Sequence, residues 1–503
     1  MIAKRMMLVV MAGCLMMALA VAQPAQFEAA PAQISGAALP DVDGLLTLLY
    51  AGQYDVLDQR LNAYQADYEK DVGGERALVI AFAALVVPDP ELEPHFVQWT
   101  KAYPDSYAAN LSYGSFNFAM GLAWRGEKSA ADTHPEQLAN MHSYLAKAGQ
   151  SLELSLRLTK KPLIAYTELI RISRYVDTAS RARYWLDQAT KSDPRCVEPR
   201  RAFMTTLLPH WGGSYEKMRK FAAETKNNFP PPVIESLIRD LEGAAKLEQS
   251  NALHRRNNHV DALSLAQEAV AMGGGIRALF LRGGIYDSLG QTDLAIKDMD
   301  QTVARNPAHS EAFYLRGMAQ LRKRNVGDGM NDLKRAASRG NVDAINQLGY
   351  MNFSGKNGMP VNREEGLKWW AKTAYFRDNY ALVELGLAYA GGVGVAVDHA
   401  RAAKYFRIAA DQNNGMAQNA LGALLWTGKK GVPQNRDEAI HLWQLAARQG
   451  VVQAEHNLNT FLSPVERAKV AVTDLIHKIR TQGLILIGAL VSLLTKDLDG
   501  QEH

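Results

Sequence analysis

The feature of this sequence that most restricts its fold is an internal repeat of 36 to 37 residues near the C-terminal end. Alanines recur in it at steps of 37, 36 and 37 residues, at Ala344, Ala381, Ala417 and Ala454, and a leucine stands four residues after each. A period of this size is typical of stacked two-helix units, because a single unit cannot bury its own apolar face. The repeat therefore predicts an all-α fold built by stacking hairpins.

Two further columns keep the same register. Glycine follows the leucine in three units, at Gly349, Gly386 and Gly422. Large aromatic residues recur later in each unit, at Trp370, Phe406 and Trp443. Small residues allow two helices to approach closely, and large ones fill the remaining space. We therefore expect the aromatic side chains to be buried between one hairpin and the next.

Glycine-rich loops separate the two predicted helices of each unit, at residues 354–360, 391–394 and 428–433. Glycine supplies backbone angles there that other residues avoid. With the columns above, these loops resemble the Sel-like repeat family, a relative of the tetratricopeptide repeat with a longer loop between its helices. The resemblance covers about 344–458. The first loop lacks the Gly-x-Gly of the family and is expected to turn differently.

Upstream, the period shortens to 34 residues, since the tetrapeptide at 280–283 returns at 314–317 and Pro307 stands where a helix must stop. This segment resembles the tetratricopeptide repeat. We assign 246–340 to tetratricopeptide-like repeats and 341–462 to Sel-like repeats. Together they predict a right-handed superhelical stack of helical hairpins, an α-solenoid, preceded by a helical N-terminal domain.

The N-terminal domain, at 41–245, shows helical spacing without a readable period, as at residues 139–158. Residues 45–225 resemble an uncharacterised bacterial domain that often precedes helical repeats, and this resemblance carries no known activity. One local signature, Trp211-Gly212-Gly213-Ser214, interrupts the helical pattern. It fits either a turn with Ser214 capping the next helix or a loop that contacts a ligand. The proline-rich segment 228–232 is the expected boundary with the repeats.

The first 22 residues resemble a secretory signal, because basic Lys4 and Arg5 precede an uncharged apolar run that ends in Ala20-Val21-Ala22. A linker at 23–40 would follow. Two alternatives remain, a lipoprotein cleaved before Cys14 and an uncleaved anchor. The chain is therefore expected to be periplasmic or secreted, with a lipid-anchored envelope protein as the second possibility. After cleavage Cys196 would be the sole cysteine, so an internal disulfide is excluded.

Motifs for catalysis are missing from the sequence. It contains no His-Glu-x-x-His, Cys-x-x-Cys or Gly-x-Ser-x-Gly. His254 and His259 are five residues apart, a poor spacing for sharing a metal on one helix face. We predict no enzyme, no catalytic residue, no cofactor and no metal. The formal net charge of +4 argues against nucleic acid as the main partner.

Binding of a protein or peptide is the function that stacked hairpins favour, because they form an extended surface. The tetratricopeptide resemblance implies that one face of the first helices carries the binding residues. Its positions correspond to Arg277, Phe280, Asp287, Glu311, Tyr314, Met318 and Arg322. The alternative is an enzyme of unrecognised type in the N-terminal domain, with the repeats as its docking arm.

The C-terminal tail, 463–503, begins with Ser463-Pro464-Val465-Glu466, which predicts a capped helix start. The apolar run 484–494 is too short to cross a bilayer, because eleven residues span about 17 Å as a helix. The tail is therefore expected to cap the last hairpin, or else to bind a partner or another copy of the chain. Any membrane contact by the tail would be minor.

The signal assignment predicts that the mature protein starts near Gln23, because Ala20 and Ala22 occupy the positions that a signal peptidase recognises. N-terminal sequencing of the protein purified from its native host checks this. A start at Cys14 would identify a lipoprotein, and an intact Met1 would identify an anchor.

Overall fold

The computed structural model describes residues 39–126, 133–176, 179–225, 243, 246–247, 249–272 and 275–472. The predicted signal, most of the predicted linker, the 228–232 boundary and the tail beyond 472 lie outside these residues. Within them the secondary structure is helical apart from turns and one isolated bridge between Lys429 and Val432. The predicted all-α stack of hairpins is confirmed. Among the described residues, no helix combines the length and apolar character needed to span a bilayer.

Ten helices form the described part of the N-terminal half. They are α1 (Val42–Tyr50), α2 (Tyr54–Lys70), α3 (Glu75–Ala83), α4 (Glu93–Ala102), α5 (Tyr107–Arg125), α6 (Pro135–Ser155), α7 (Leu163–Val176), α8 (Ala179–Ser192), α9 (Glu198–Thr206) and α10 (Tyr215–Thr225). Helix α5 is buried along most of its length, so it lies at the centre of this half. It packs closely on α6, since a Cβ added at Gly114 would lie 2.7 Å from Leu152.

The repeats follow as consecutive antiparallel helices, and residues 249–255 before them are helical as well. The repeat helices are α11 (His259–Ala271), α12 (Gly275–Ser288), α13 (Thr292–Arg305), α14 (Ser310–Arg322), α15 (Val326–Ser338), α16 (Val342–Ser354), α17 (Arg363–Ala374), α18 (Asn379–Gly391), α19 (His399–Asp411), α20 (Gly415–Thr427), α21 (Arg436–Arg448) and α22 (Val452–Phe461). Helix α13 ends at Arg305, just before Pro307, as the sequence predicted.

The glycine and aromatic columns meet inside each Sel-like hairpin. Trp370, Phe406 and Trp443 are at most 1% exposed, so their predicted burial is confirmed. The prediction that these rings lie between one hairpin and the next is only half right. A Cβ at Gly349 would lie 2.4 Å from the indole of Trp370, so the ring packs first on its own hairpin. It also contacts Phe353 of its own hairpin, and residues of the next hairpin such as Ala381 complete its surroundings. Glycine is required because any larger residue would separate the two helices.

A hydrogen bond fixes the tryptophan rings in two of these hairpins. The indole of Trp370 donates to the Asn346 carbonyl at 3.3 Å, and that of Trp443 donates to the Asn419 carbonyl at 3.1 Å. A buried indole N–H without a partner would be costly. The first helix of the hairpin therefore supplies both the space and the acceptor for the ring.

In the tetratricopeptide-like hairpins an ion pair joins the two helices at the place where an aromatic ring joins them in the Sel-like hairpins. Arg282 on α12 forms two hydrogen bonds of 2.7 Å with Asp298 on α13. Arg316 on α14 bonds Asp332 on α15 in the same way, at 2.7 and 2.8 Å. Both arginines precede the glycine of the column by one residue. A two-pronged pair between a guanidinium and a carboxylate fixes orientation as well as distance.

The irregular position in the second of these hairpins has a steric explanation. The register predicts alanine where Gly329 stands. A Cβ at Gly329 would lie 2.7 Å from Leu321 and 3.0 Å from the Gly317 carbonyl. Helices α14 and α15 therefore cross too closely at this point for any side chain.

The three Sel-like loops close with the same backbone bond. The amide of the residue that caps the second helix donates to a carbonyl in the last turn of the first, as in Asn362 to Asn352 at 2.8 Å. Glycines with positive φ stand two apart in the second loop, at Gly392 and Gly394. In the first loop the positive-φ glycines, Gly355 and Gly358, stand three apart around a 3₁₀ turn. Gly428 and Gly431 in the third loop are also three apart, so the 3₁₀ turn is what distinguishes the first loop. By this turn the first loop differs from the other two, as its sequence predicted.

The N-terminal half packs on the turns that join successive hairpins. Phe376, in the turn between α17 and α18, belongs to the apolar core of the N-terminal half, and its ring centre lies 5.8 Å from that of Trp124. In the preceding turn a Cβ at Gly340 would lie 2.5 Å from Pro88. The repeats and the N-terminal half therefore share buried surface.

Ion pairs border this contact. Arg339, only 8% exposed, bonds the carboxylate of Asp43, and the amine of Lys372 lies 2.8 Å from Asp89. In both pairs the base comes from the repeats and the acid from the N-terminal half. This complementarity fixes which turns face which helices.

The contact between Gly349 and Trp370 predicts a steric clash for any side chain added at Gly349, and Gly149 is a matched glycine without such a contact. Gly349→Ala should place a methyl group against Trp370, whereas Gly149→Ala, inside α6, has no atom within 4 Å of the new methyl. Both gain helix propensity, so Gly149→Ala should stabilise the protein by up to about 1 kcal/mol. Gly349→Ala should be less stable than Gly149→Ala by about 1–3 kcal/mol. Urea denaturation followed by circular dichroism measures both, and equal midpoints would show that the contact is looser than described.

Candidate partner-binding surface

The first helices of the hairpins, α12, α14, α16, α18 and α20, present equivalent positions on one surface, which we call the A-helix face. Each of these helices has one fully buried alanine that sets the register, at Ala278, Ala312, Ala344, Ala381 and Ala417. The seven residues predicted for partner binding all lie on α12 and α14. Arg277, Glu311 and Arg322 are exposed and the other four are half-buried.

Three of the predicted residues are brought together. The guanidinium of Arg322 pairs with the carboxylate of Asp287 on the neighbouring first helix. Tyr314 lies in the field of both charges and of Asp343, and burial raises the pKa of its hydroxyl. This part of the face therefore offers a tyrosine beside an ion pair that links two hairpins.

A second group forms around His309, which sequence reasoning did not select. The ring centres of Phe280 and His309 lie 4.8 Å apart, and Nδ1 of His309 is 3.2 Å from the carboxylate of Glu311. The hydrogen bond with His309 lowers the pKa of Glu311. Met318, the remaining residue on α14, packs partly against the core of its hairpin. Its role is therefore at least partly structural.

The A-helix face continues into the Sel-like repeats, where sequence reasoning named no binding residue. Large apolar side chains stand exposed there at Tyr350 (37%), Tyr380 (41%), Leu387 (50%) and Met416 (61%). Tyr380 and Met416 directly precede the alanine of the column, as Glu311 does, and Tyr350 and Leu387 follow it by six residues, as Met318 does. The column register extended across both repeat types would have identified them.

One carboxylate lies among these exposed rings. Glu384 on α18 is half-buried, and burial raises its pKa. Burial, followed by the charge of Glu384 and the nearby Tyr350, raises the pKa of the Tyr380 hydroxyl. The Sel-like part of the face is therefore apolar and aromatic, with a partly desolvated acid at its centre.

The Trp211-Gly212-Gly213-Ser214 signature is a turn followed by a helix start. Gly212 has a φ of 80°, and a Cβ at Gly213 would lie 2.0 Å from the Leu207 carbonyl. The hydroxyl of Ser214 accepts the amide of Lys217 at 3.2 Å, so the expected capping role of Ser214 is confirmed. Trp211 is half-buried against the ring of Tyr175, at 5.6 Å between ring centres.

The N-terminal half holds a buried polar cluster that bears on the enzyme alternative. Cys196 is 1% exposed, and burial raises the pKa of its thiol to about 12. A thiol that stays protonated at neutral pH is a poor nucleophile. The hydroxyl of Tyr68 donates to Asp193 at 3.1 Å, so the neighbouring groups are engaged with each other. The arrangement is that of a structural network.

The two histidines that looked badly spaced for a shared metal do meet. The Nδ1 atoms of His254 and His259 lie 3.0 Å apart across a turn in which Asn257 has a φ of 60°. Burial and the neighbouring His259 lower the pKa of His254. In the part of the chain that the structure describes, no three histidine, cysteine or acidic side chains are grouped to hold a metal ion.

Comparison with known families identifies the hairpins built on the glycine and aromatic contact. Residues 342–375, 379–414 and 415–451 each match the Sel1 repeat. These three segments are Sel1 repeats. The first segment matches although its loop lacks Gly-x-Gly.

Solved structures also include chains that are similar to this one. A Sel1 repeat protein from Oxalobacter formigenes is 23% identical, with 46% of this chain and 99% of that chain covered and a TM-score of 0.37. A protective antigen of uropathogenic Escherichia coli with an SLR fold is 16% identical, covering 82% and 93%, with a TM-score of 0.32. Yeast Tom70 is 11% identical, covering 89% and 98%, with a TM-score of 0.35.

The buried polar cluster around Cys196 yields a pH prediction, because the charge of Glu75 acts on this thiol. Glu75 is 8% exposed and accepts hydrogen bonds from the amides of Val197 and Glu198 at 3.1 and 2.7 Å. Burial raises its pKa from 4.5 to about 7. A carboxyl with a raised folded pKa stabilises the fold below pH 4.5, and this contribution is lost as pH rises through about 7.

Glu75→Gln should therefore become more stable relative to the wild type as pH rises across this interval, and the difference should level off above it. Thermal melts at several pH values measure the effect. Glu216→Gln, at an exposed position on α10, serves as the control. A pH-independent difference between Glu75→Gln and the wild type would contradict the raised pKa.

Proposed function

We propose that this chain is an exported helical-repeat scaffold that binds proteins or peptides in the bacterial cell envelope through its A-helix face. The observation that carries the proposal is the row of exposed Tyr350, Tyr380, Leu387 and Met416 in register with the predicted groove positions. Exposed apolar residues that form one continuous surface mark interaction sites. Single exposed apolar residues, in contrast, are common on any protein surface and carry no such meaning. Sel1 repeats are interaction modules, which supports a protein partner.

The character of the face suits a polypeptide ligand. Tyrosines dominate hot spots because they bury much area with little loss of side-chain entropy. Glu384 and the Asp287–Arg322 pair supply charged groups beside the rings. A ligand with apolar side chains and a basic group opposite Glu384 would be complementary to this surface.

Export and the exclusion of nucleic acid remain predictions from the sequence. The signal-like segment supports placement outside the cytoplasm. The formal net charge of +4 is small for a chain of 503 residues, which supports a protein partner over a nucleic acid.

The enzyme alternative has one feature in its favour. A cleft of about 480 Å³ in the N-terminal half is lined by Asp58, Glu69 and Asp105, among others. However, Asp58 accepts the indole N–H of Trp99 at 3.0 Å, and Glu69 accepts the hydroxyl of Thr159. Two of the three carboxylates are thus engaged in holding helices and loops together. This favours the scaffold over the enzyme.

A comparison of captured partners tests the scaffold proposal. The mature protein and a Tyr380→Ala, Leu387→Ala variant are used to capture proteins from the native envelope fraction, with quantification by mass spectrometry. Losing two exposed anchors should reduce capture of a specific partner roughly tenfold or more. The partner should be recovered without chemical change.

The matched control carries Tyr184→Ala and Leu294→Ala, which remove similarly exposed side chains from α8 and from a second helix of a hairpin. This control should capture the partner as the wild type does. Undiminished capture by the A-helix variant would overturn the proposed site, and recovery of a cleaved or modified partner would favour the enzyme.

A further inference from the structure

Two aromatic rings and two arginines form a compact group at the ends of α5 and α7 and in the turn before α10. The guanidinium of Arg125 lies 5.7 Å from the ring centre of Tyr175. Arg174 lies 5.7 Å from the same ring and 5.4 Å from that of Trp211. Stacking on a ring holds a guanidinium plane in place while its N–H edge stays available.

The repeats add a third arginine. Arg277, exposed on α12, is close enough for its charge to act on Arg174. Burial, together with the charges of Arg171 and Arg277, lowers the pKa of Arg174, with Tyr175 and Glu168 acting in the opposite sense. The group therefore concentrates positive charge where the N-terminal half borders the first helix of the A-helix face.

The arginines of this group differ from their neighbours in lacking an acidic partner. Arg171 lies 2.7 Å from Glu168, and Arg183 lies 2.9 Å from Asp187. Over the residues that the structure describes, no carboxylate comes within ion-pair distance of Arg125, Arg174 or Arg277, and Arg174 donates only to the Arg171 carbonyl. Clustered like charges without a counterion are unfavourable, so an anion would relieve the repulsion.

We infer that Arg125 and Arg174, on a platform made by Tyr175 and Trp211, form a binding site for an anionic oxygen group, a phosphate or a carboxylate, and that the charge of Arg277 strengthens it. Guanidinium groups bind both anions through paired N–H donors, which an ammonium cannot do. The turn at Gly212 and Gly213 places Trp211 under Arg174, which gives the sequence signature a role beyond capping. The site does not depend on peptide binding by the Sel1 repeats.

Isothermal titration of the mature protein with pyrophosphate and with citrate, at low ionic strength, tests the inference. At least one anion should bind with one-to-one stoichiometry. Binding of pyrophosphate alone assigns a phosphate ligand, and binding of citrate alone assigns a carboxylate. Arg125→Gln should weaken binding about tenfold or more, because it removes a charged hydrogen-bond donor, and Arg277→Gln should weaken it by a smaller factor, because it removes only a nearby charge.

Arg60→Gln is the matched control, because Arg60 is an exposed arginine on α2 outside the group. It should bind the anion as the wild type does. The inference is overturned if neither anion binds the wild type, if Arg125→Gln binds normally, or if Arg60→Gln weakens binding as much as Arg125→Gln does. Since Arg277 is exposed, its replacement should leave the fold intact, and an unchanged melting temperature without ligand verifies this.

Discussion

The close approach of two helices at a glycine is the constraint on which the repeat stack depends. The same column position is glycine in each of five hairpins, at Gly283, Gly317, Gly349, Gly386 and Gly422. In the Sel1 repeats a ring lies against that glycine, and in the upstream hairpins an Arg–Asp pair forms beside it. Two different interactions thus use one backbone geometry, which explains how repeats of 34 and 37 residues stack in one array.

The orientation set at the glycine also decides what remains exposed. Once the alanine and glycine of a first helix face inward, the residues one before and six after the alanine must face outward, as with Tyr380 and Leu387. Exposure of apolar side chains there is therefore systematic. The A-helix face is a consequence of how each hairpin packs, and its chemistry changes from charged on α12 and α14 to aromatic in the Sel1 repeats.

The N-terminal half adds what a bare repeat stack would lack. It covers the turns at Arg339 and Phe376 with acidic and apolar groups, so those turns are committed to the interior of the protein. It also stacks Arg125 and Arg174 on the rings of Tyr175 and Trp211, where the charge of Arg277 on α12 acts on Arg174. The border between the two halves therefore contains both a structural contact and a concentrated positive charge.

Much of the fold followed from local sequence alone. The period, the buried alanines, the stop at Pro307 and the capping box, in which Ser463 and Glu466 bond each other's amides, depend on spacings within one or two helices. Such spacings are directly visible in a sequence because helix geometry is regular. The seven predicted groove positions lie on α12 and α14, and their use by a partner remains a prediction.

Other features were decided only by the tertiary structure. The packing of Trp370 on the glycine of its own hairpin depends on the angle at which two helices cross, which periodicity does not specify. The Arg339–Asp43 bond joins residues 296 positions apart, and the arginine group combines residues of α5, of α7 and of the turn before α10. The sequence by itself determined which residues face inward in each hairpin. Only the folded chain decided which distant charges meet, because such pairs depend on how whole elements dock.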